Sequence, residues 1–221
     1  MVMRLWITGT IDEVKIAAET GLVGAVVTNP SVVAKWVRDG RRPENIFADV
    51  CNATELPLYI QLRGPDSETF LAEFESLRGV SELIVPKLPA TAEGLAAAKT
   101  LVGQHVQVLV TGVCTVAQAA LAVAAGASFI CPYFARLNDA GYEAGHLIEQ
   151  IAGLYSRHDA PTQIVPASIR TTQDFENVLL AGADGAILPY PIFSSSIEHE
   201  LTRRSLVEFE SDWKQITCPV S

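Results

Sequence analysis

No two cysteines of this chain stand at metal-ligand spacing. Cys51, Cys114, Cys131 and Cys218 are scattered, with no C-x-x-C and no Cys/His grouping. His105, His146, His158 and His199 are equally dispersed. That pattern argues against a metal centre and for reduced thiols, as in a cytoplasmic protein. Positive charge is also short: 16 Lys and Arg face 25 Asp and Glu, a net charge of −9. Arg41-Arg42 and Arg203-Arg204 are isolated pairs, so no basic stripe is available to displace counterions from nucleic-acid phosphates. Long apolar runs are missing. The longest small-apolar stretch, Ala119 to Cys131, contains Gly126 and Ser128 and is too short to cross a bilayer. A basic region followed by an apolar one, the mark of a secretory leader, is not seen at the N-terminus. Nor does G-x-G-x-x-G or G-x-x-x-x-G-K-[ST] follow any strand-like run, so the usual nucleotide sites are absent. The expectation is a protein that uses no metal or organic cofactor, touches neither nucleic acid nor membrane, and takes a small-molecule partner.

What the chain does have is apolar material in a regular order. Hydrophobic residues make up 49% of the 221, enough for one large core and slightly rich for a monomer. Short aliphatic runs alternate with longer amphipathic ones, the signature of βα units around a parallel sheet. The strand-like runs are centred on Trp6, Val26, Tyr59, Ile84, Val108, Ile130, Ile164 and Ile187. Helical runs lie between them, at 10–20, 66–77, 91–101, 116–125, 142–157 and 172–181. Several reach a glycine just before the next strand (Gly21, Gly126, Gly182), as a helix C-terminus should. Eight such pairs predict an α/β fold, a (β/α)8 TIM barrel over residues 1–196, with a doubly wound open sheet as runner-up. Residues 197–221 add a C-terminal helix and tail. Leu206, Phe209, Trp213 and Ile216 give that helix one apolar face, which must cover the barrel or a neighbouring subunit.

Lys87 is the residue most suggestive of chemistry. It stands in Glu82-Leu83-Ile84-Val85-Pro86-Lys87-Leu88-Pro89, an apolar strand and its exit. Burying an unpaired ammonium is costly, so such a lysine tends to give up its proton and become a nucleophile for carbonyl carbon. A lysine that caps the strand and snorkels to water is the competing reading. Lys15, Lys35, Lys99 and Lys214 lie in helical segments among polar or small neighbours, where a solvated face explains each. Barrel enzymes take their reacting groups from the carboxyl ends of several strands. Those ends here offer Thr8, Thr28-Asn29, Gln61, Lys87, Thr111, Tyr133 and Ser168, with Arg136 and Arg170 just beyond strands six and seven. Strand eight ends in Leu188-Pro189-Tyr190 and reads as an apolar wall. Arg136, Ser168 and Arg170 suit a phosphate, because guanidinium forks and a hydroxyl match its oxygens. Ion pairs with Asp139 or Asp174 are the competing explanation of the arginines, behind the anion reading.

These residues also carry a resemblance. Val27-Thr28-Asn29-Pro30-Ser31, the run Ile84 to Leu95 with its K-x-P-x-T-x-x-G-L core, Ala117-Gln118-Ala119, Pro132-Tyr133-Phe134-Ala135-Arg136 and Ala167-Ser168-Ile169-Arg170 occur in order. Through almost its whole length the chain resembles the fructose-6-phosphate aldolase and transaldolase group of class I aldolases. The resemblance implies a (β/α)8 barrel with a Schiff-base lysine on strand four, Lys87. It implies a sugar or sugar-phosphate substrate and a ring-shaped homo-oligomer, a pentamer or decamer, in which the terminal helix meets a neighbour. Gln61, Thr111 and Tyr133 would hold the water that handles protons. Asn29 would hold a donor hydroxyl, and Arg136, Ser168 and Arg170 a terminal phosphate. Glutamate and phenylalanine are typical of the transaldolase branch where this chain has Gln61 and Tyr133, which tilts it towards a true aldolase. Three features depart from the family pattern. Thr8 replaces the strand-one aspartate that contacts the hydroxyl deprotonated in C–C cleavage, Val27 replaces a threonine, and Pro86 precedes the lysine. Three functions follow: an aldolase, a transaldolase, or a sugar-phosphate-binding paralogue that has lost catalysis through Thr8.

Overall fold

A computed structural model describes residues 3–38 and 40–217; Cys218 lies outside the described residues. Its strands are β1 (Arg4–Thr8), β2 (Val26–Val27), β3 (Leu58–Gln61), β4 (Ile84–Pro89), β5 (Leu109–Val113), β6 (Phe129–Pro132), β7 (Gln163–Ile164) and β8 (Gly185–Pro189). The helices are α1 (Ile11–Glu19), α2 (Pro30–Trp36), α3 (Pro43–Thr54), α4 (Ser67–Arg78), α5 (Ala92–Gly103), α6 (Val116–Ala125), α7 (Phe134–Asp139), α8 (Ala144–Arg157), α9 (Thr172–Leu180), α10 (Tyr190–Ile197) and α11 (Glu200–Thr217). All ladders are parallel, in the order β7-β6-β5-β4-β3-β2-β1-β8. Two backbone bonds, Ile187 N to Pro166 O (2.8 Å) and Asp184 N to Ile164 O (2.9 Å), tie the last strand to β7. The sheet is therefore a (β/α)8 barrel with a C-terminal helix, and the open-sheet alternative is excluded.

Two apolar layers hold it together. One lies between sheet and helices, built from Ile7, Val26, Leu58, Leu88, Val110 and Ile130 against helix residues such as Val14, Phe47, Phe74 and Ile148. The other fills the barrel itself. Trp6, Tyr59, Leu109, Phe129, Val165 and Ile187 form that plug, with Trp6 stacked on Tyr59 (4.5 Å between centroids) and edge-on to Phe129 (4.8 Å). Strand side chains alternate faces with a period of two. The residue two places after each plug residue therefore points the same way, one layer nearer the carboxyl end. From Trp6, Tyr59, Val85 and Leu109 that step reaches Thr8, Gln61, Lys87 and Thr111.

The turns at this end of the barrel are fastened by caps. Thr10, Asn29, Asp66, Thr91, Thr115 and Thr171 each accept, through the side chain, a hydrogen bond from the third amide of the following helix. Gly94 is required by a close approach: a Cβ there would sit 2.1 Å from the Pro89 carbonyl oxygen. Strand β4 runs on through Lys87 to Pro89, so the lysine stands inside the strand and not at its exit. Pro86 denies the ladder one donor without ending it. A bulge follows Thr111, where Gly112 takes a positive φ of 72° and the register shifts.

Candidate active site

Lys87 is 2% exposed, and its Nζ donates to the Thr28 carbonyl at 3.3 Å. No carboxylate pairs with it among the described residues. Burial pushes its pKa below the usual lysine value; nearby Cys131 opposes the shift and the Arg136 guanidinium adds to it. The snorkelling reading is therefore excluded. The amine faces a cavity of about 460 Å³ at the carboxyl end of the barrel.

Thr8, Asn29, Gln61, Tyr133, Arg136 and Ser168 all line that cavity with Lys87. Gln61 and Lys87 are direct register partners across β3 and β4. Thr111 sits one shell back, its hydroxyl 2.8 Å from the Tyr133 phenol oxygen. Burial raises the Tyr133 pKa, and Cys131 adds to this against the bond from Thr111. The phenol is thus neutral near pH 7 and keeps an O–H with which to donate a hydrogen bond. Lys87 Nζ lies 5.8 Å from the centre of the Tyr133 ring, and the Arg136 guanidinium lies 4.9 Å from it. Asn29 uses its Oδ1 to accept from Val32 N (3.0 Å), which fixes its side chain at the rim. Ser168 holds a positive φ of 62°, a strained conformation for a non-glycine residue and one often found at functional sites. The Thr8 hydroxyl oxygen is buried and has no hydrogen-bond partner. An apolar wall completes the cavity, made by Ile187 and Pro189 of β8, whereas Leu188 and Tyr190 of the expected wall pack into the layer between sheet and helices.

Arg170 stands apart from this set. It does not line the cavity, and its guanidinium grips Asp139 through both nitrogens, at 3.0 and 2.6 Å. Arg136 makes no such pair among the described residues and stays available to an anion. Two contributors were given no site role from the sequence. Cys131, read there as a structural thiol, is fully buried beside Lys87 and in register with Thr111. Gln118 donates to Ala90 O (3.1 Å) and accepts from Cys114 N (2.8 Å), so it clasps the exits of β4 and β5 together. The A-Q-A run on α6 was visible in the sequence, but this tertiary clasp was not.

Comparison with known proteins agrees with this geometry. The family model described as Transaldolase/Fructose-6-phosphate aldolase matches residues 6–218. A protein of Phenylobacterium zucineum named probable transaldolase is 40% identical over 212 residues, 96% of each chain. Another of that name, from Alkaliphilus metalliredigens, is 38% identical over 96% of this chain and 98% of its own. Among solved structures, a thiamine phosphate pyrophosphorylase from Pyrococcus furiosus aligns with a TM-score of 0.58 at 12% identity over 85% of each chain. That likeness concerns the fold alone. The chain belongs to the transaldolase/fructose-6-phosphate aldolase family and is an enzyme of the aldolase or transaldolase type.

Proposed function

We propose that this protein is a class I aldolase that makes and breaks the C3–C4 bond of a ketose phosphate through a Schiff base on Lys87. The observation that carries the reading is the burial of that amine, without a carboxylate partner, in a cavity walled by hydroxyl and amide groups. Nζ adds to the ketose carbonyl, and loss of water gives an iminium. The iminium draws the electron pair of the breaking C–C bond, the C4 hydroxyl passes its proton to a water held by Gln61, Thr111 and Tyr133, an aldehyde departs, and an enamine of a dihydroxyacetone-type donor remains. Tyr133, supported by Thr111, serves the enamine carbon with a proton, directly or through a water shared with Gln61. Asn29 holds a donor hydroxyl. Arg136 and Ser168 receive the phosphate of the acceptor aldehyde, while Arg170 stays with Asp139.

The test supplies a ketose phosphate without any acceptor aldehyde. Release of a free three-carbon hydroxyketone, lost in Lys87→Met, is the expected result. Turnover only when an acceptor aldehyde is added would favour a transaldolase, the second reading, which the names of the relatives support. A paralogue that binds without catalysis would do neither.

The enzyme works as a homo-oligomer in this reading. No described α11 side chain is buried, and Leu206, Phe209 and Ile216 are 62, 57 and 71% exposed. An apolar helix face of that extent fits a contact with a second copy. Free thiols at Cys51, Cys114 and Cys131 suit a reducing, cytoplasmic setting.

A further inference from the structure

The cavity around Lys87 holds that buried amine, one guanidinium and, among the described residues, no acidic group. Lys87 and Arg136 face it, while no aspartate, glutamate or histidine is among its lining residues. On β1 the group lining the cavity is the Thr8 hydroxyl, buried and without a partner among the described residues. A threonine hydroxyl does not act as a base near neutral pH, and the Tyr133 phenol is a proton donor there. The site thus contains an electron sink and an acid, but no side chain to take the proton that a sugar hydroxyl must lose during cleavage.

One class of substrate needs the first two and not the third. In a 3-oxo carboxylic acid, the bond to be broken expels carbon dioxide, and no hydroxyl has to be deprotonated. Its carboxylate also complements a cavity that carries the Arg136 guanidinium and, among the described residues, no carboxylate. We propose that the Lys87 site also decarboxylates 3-oxo carboxylic acids, an activity that rests on the Schiff-base reading of Lys87.

The steps balance without an added oxidant or cofactor. Nζ attacks the C3 carbonyl and water leaves, giving an iminium. The C1–C2 bond breaks, its electron pair moves onto C2 and into the iminium, and carbon dioxide departs to leave an enamine. C2 takes a proton from the Tyr133–Thr111 pair, which is refilled from water. Hydrolysis of the resulting iminium frees the ketone and restores the amine. One proton is consumed for each carboxylate converted. Arg136 holds the carboxylate on entry, and the apolar wall of Ile187 and Pro189 favours loss of its charge.

The experiment uses the full-length protein with acetoacetate, measuring acetone release beside borohydride trapping and mass spectrometry. Wild type should release acetone at least about a hundredfold faster than the spontaneous reaction, and Lys87→Met should not. Thr8→Asp supplies a folded control that places a like charge near the substrate. It should slow acetone release about tenfold while raising ketose cleavage, so the two activities move in opposite directions. A trapped adduct on Lys87 with no acetone above background overturns the proposal and leaves the Schiff-base reading standing. Equal acetone release from Lys87→Met also overturns it. Failure of both acetoacetate and ketoses to give any Lys87 adduct overturns the two together.

Discussion

Desolvation sets the chemistry of Lys87. A surface lysine at pH 7 is protonated and unreactive, whereas this one has lost its water and gained only a carbonyl oxygen in exchange. Because burial lowers its pKa, the neutral fraction grows as pH rises through that lowered value. The rate of imine formation, followed by borohydride trapping, should therefore rise with pH and level off below the ordinary lysine value of 10.5. Lys87→Met should abolish turnover yet stay folded, with a thermal midpoint no lower than wild type, since a thioether is easier to bury than an amine. Thr8→Asp should raise ketose cleavage by about a hundredfold if the missing base limits it; unchanged cleavage with donor binding intact would show that the limit lies elsewhere. Arg136→Ala should raise KM for a phosphorylated aldehyde about 10- to 100-fold and leave an unphosphorylated one nearly unchanged. At this scale the sequence was informative wherever a residue clashed with its neighbours. Lys87 stood out among apolar residues and prolines, and the polar strand ends around it line or back one cavity. For Arg170 the sequence offered both a phosphate and an ion pair with Asp139, 31 residues away, and only the tertiary fold decides for the ion pair. The closeness of Cys131 to Lys87 was hidden for the same reason.

Among the elements, the alternation of strand side chains turns a hydrophobic plug into a foundation for the site. Trp6, Tyr59 and Phe129 fill the barrel, and two places on from Trp6 and Tyr59, on the same faces, Thr8 and Gln61 line the cavity. Trp6→Ala should cost about 3–5 kcal/mol in chemical unfolding and reduce turnover, because it removes the support under Thr8 and its neighbours. Gly94→Ala tests the β4–α5 junction. The added methyl collides with backbone, not with a flexible side chain, so a loss of about 1–3 kcal/mol is expected together with misplacement of Lys87. Periodicity found all eight strands and the longer helices, because burial on two faces leaves a plain sequence signal. Helices α2, α3, α7 and α10 were less legible. Helices α2 and α7 have just seven and six residues, too few for a periodic pattern to show. Strand β4 extends past the point where its prolines suggested an exit, since a barrel strand with partners on both sides outweighs one missing donor.

The molecule as a whole is a closed barrel plus a helix that finds no burial on it. Net charge is −9, so the Arg136 guanidinium at the cavity is a local cation in an acidic protein, and the proposed function expects an anionic substrate to be drawn to it. Phe209→Glu on α11 should shift the protein to smaller species in sedimentation velocity while the far-UV circular dichroism of the barrel is retained. An unchanged sedimentation coefficient would remove α11 from the interface. The central claim concerns the amine, and it is tested most directly by reducing the protein with borohydride in the presence of a ketose phosphate and mapping the peptides. The account predicts a single sugar-derived mass increase on the peptide containing Lys87. Modification spread over Lys15, Lys35, Lys99 and Lys214, with Lys87 untouched, would contradict it.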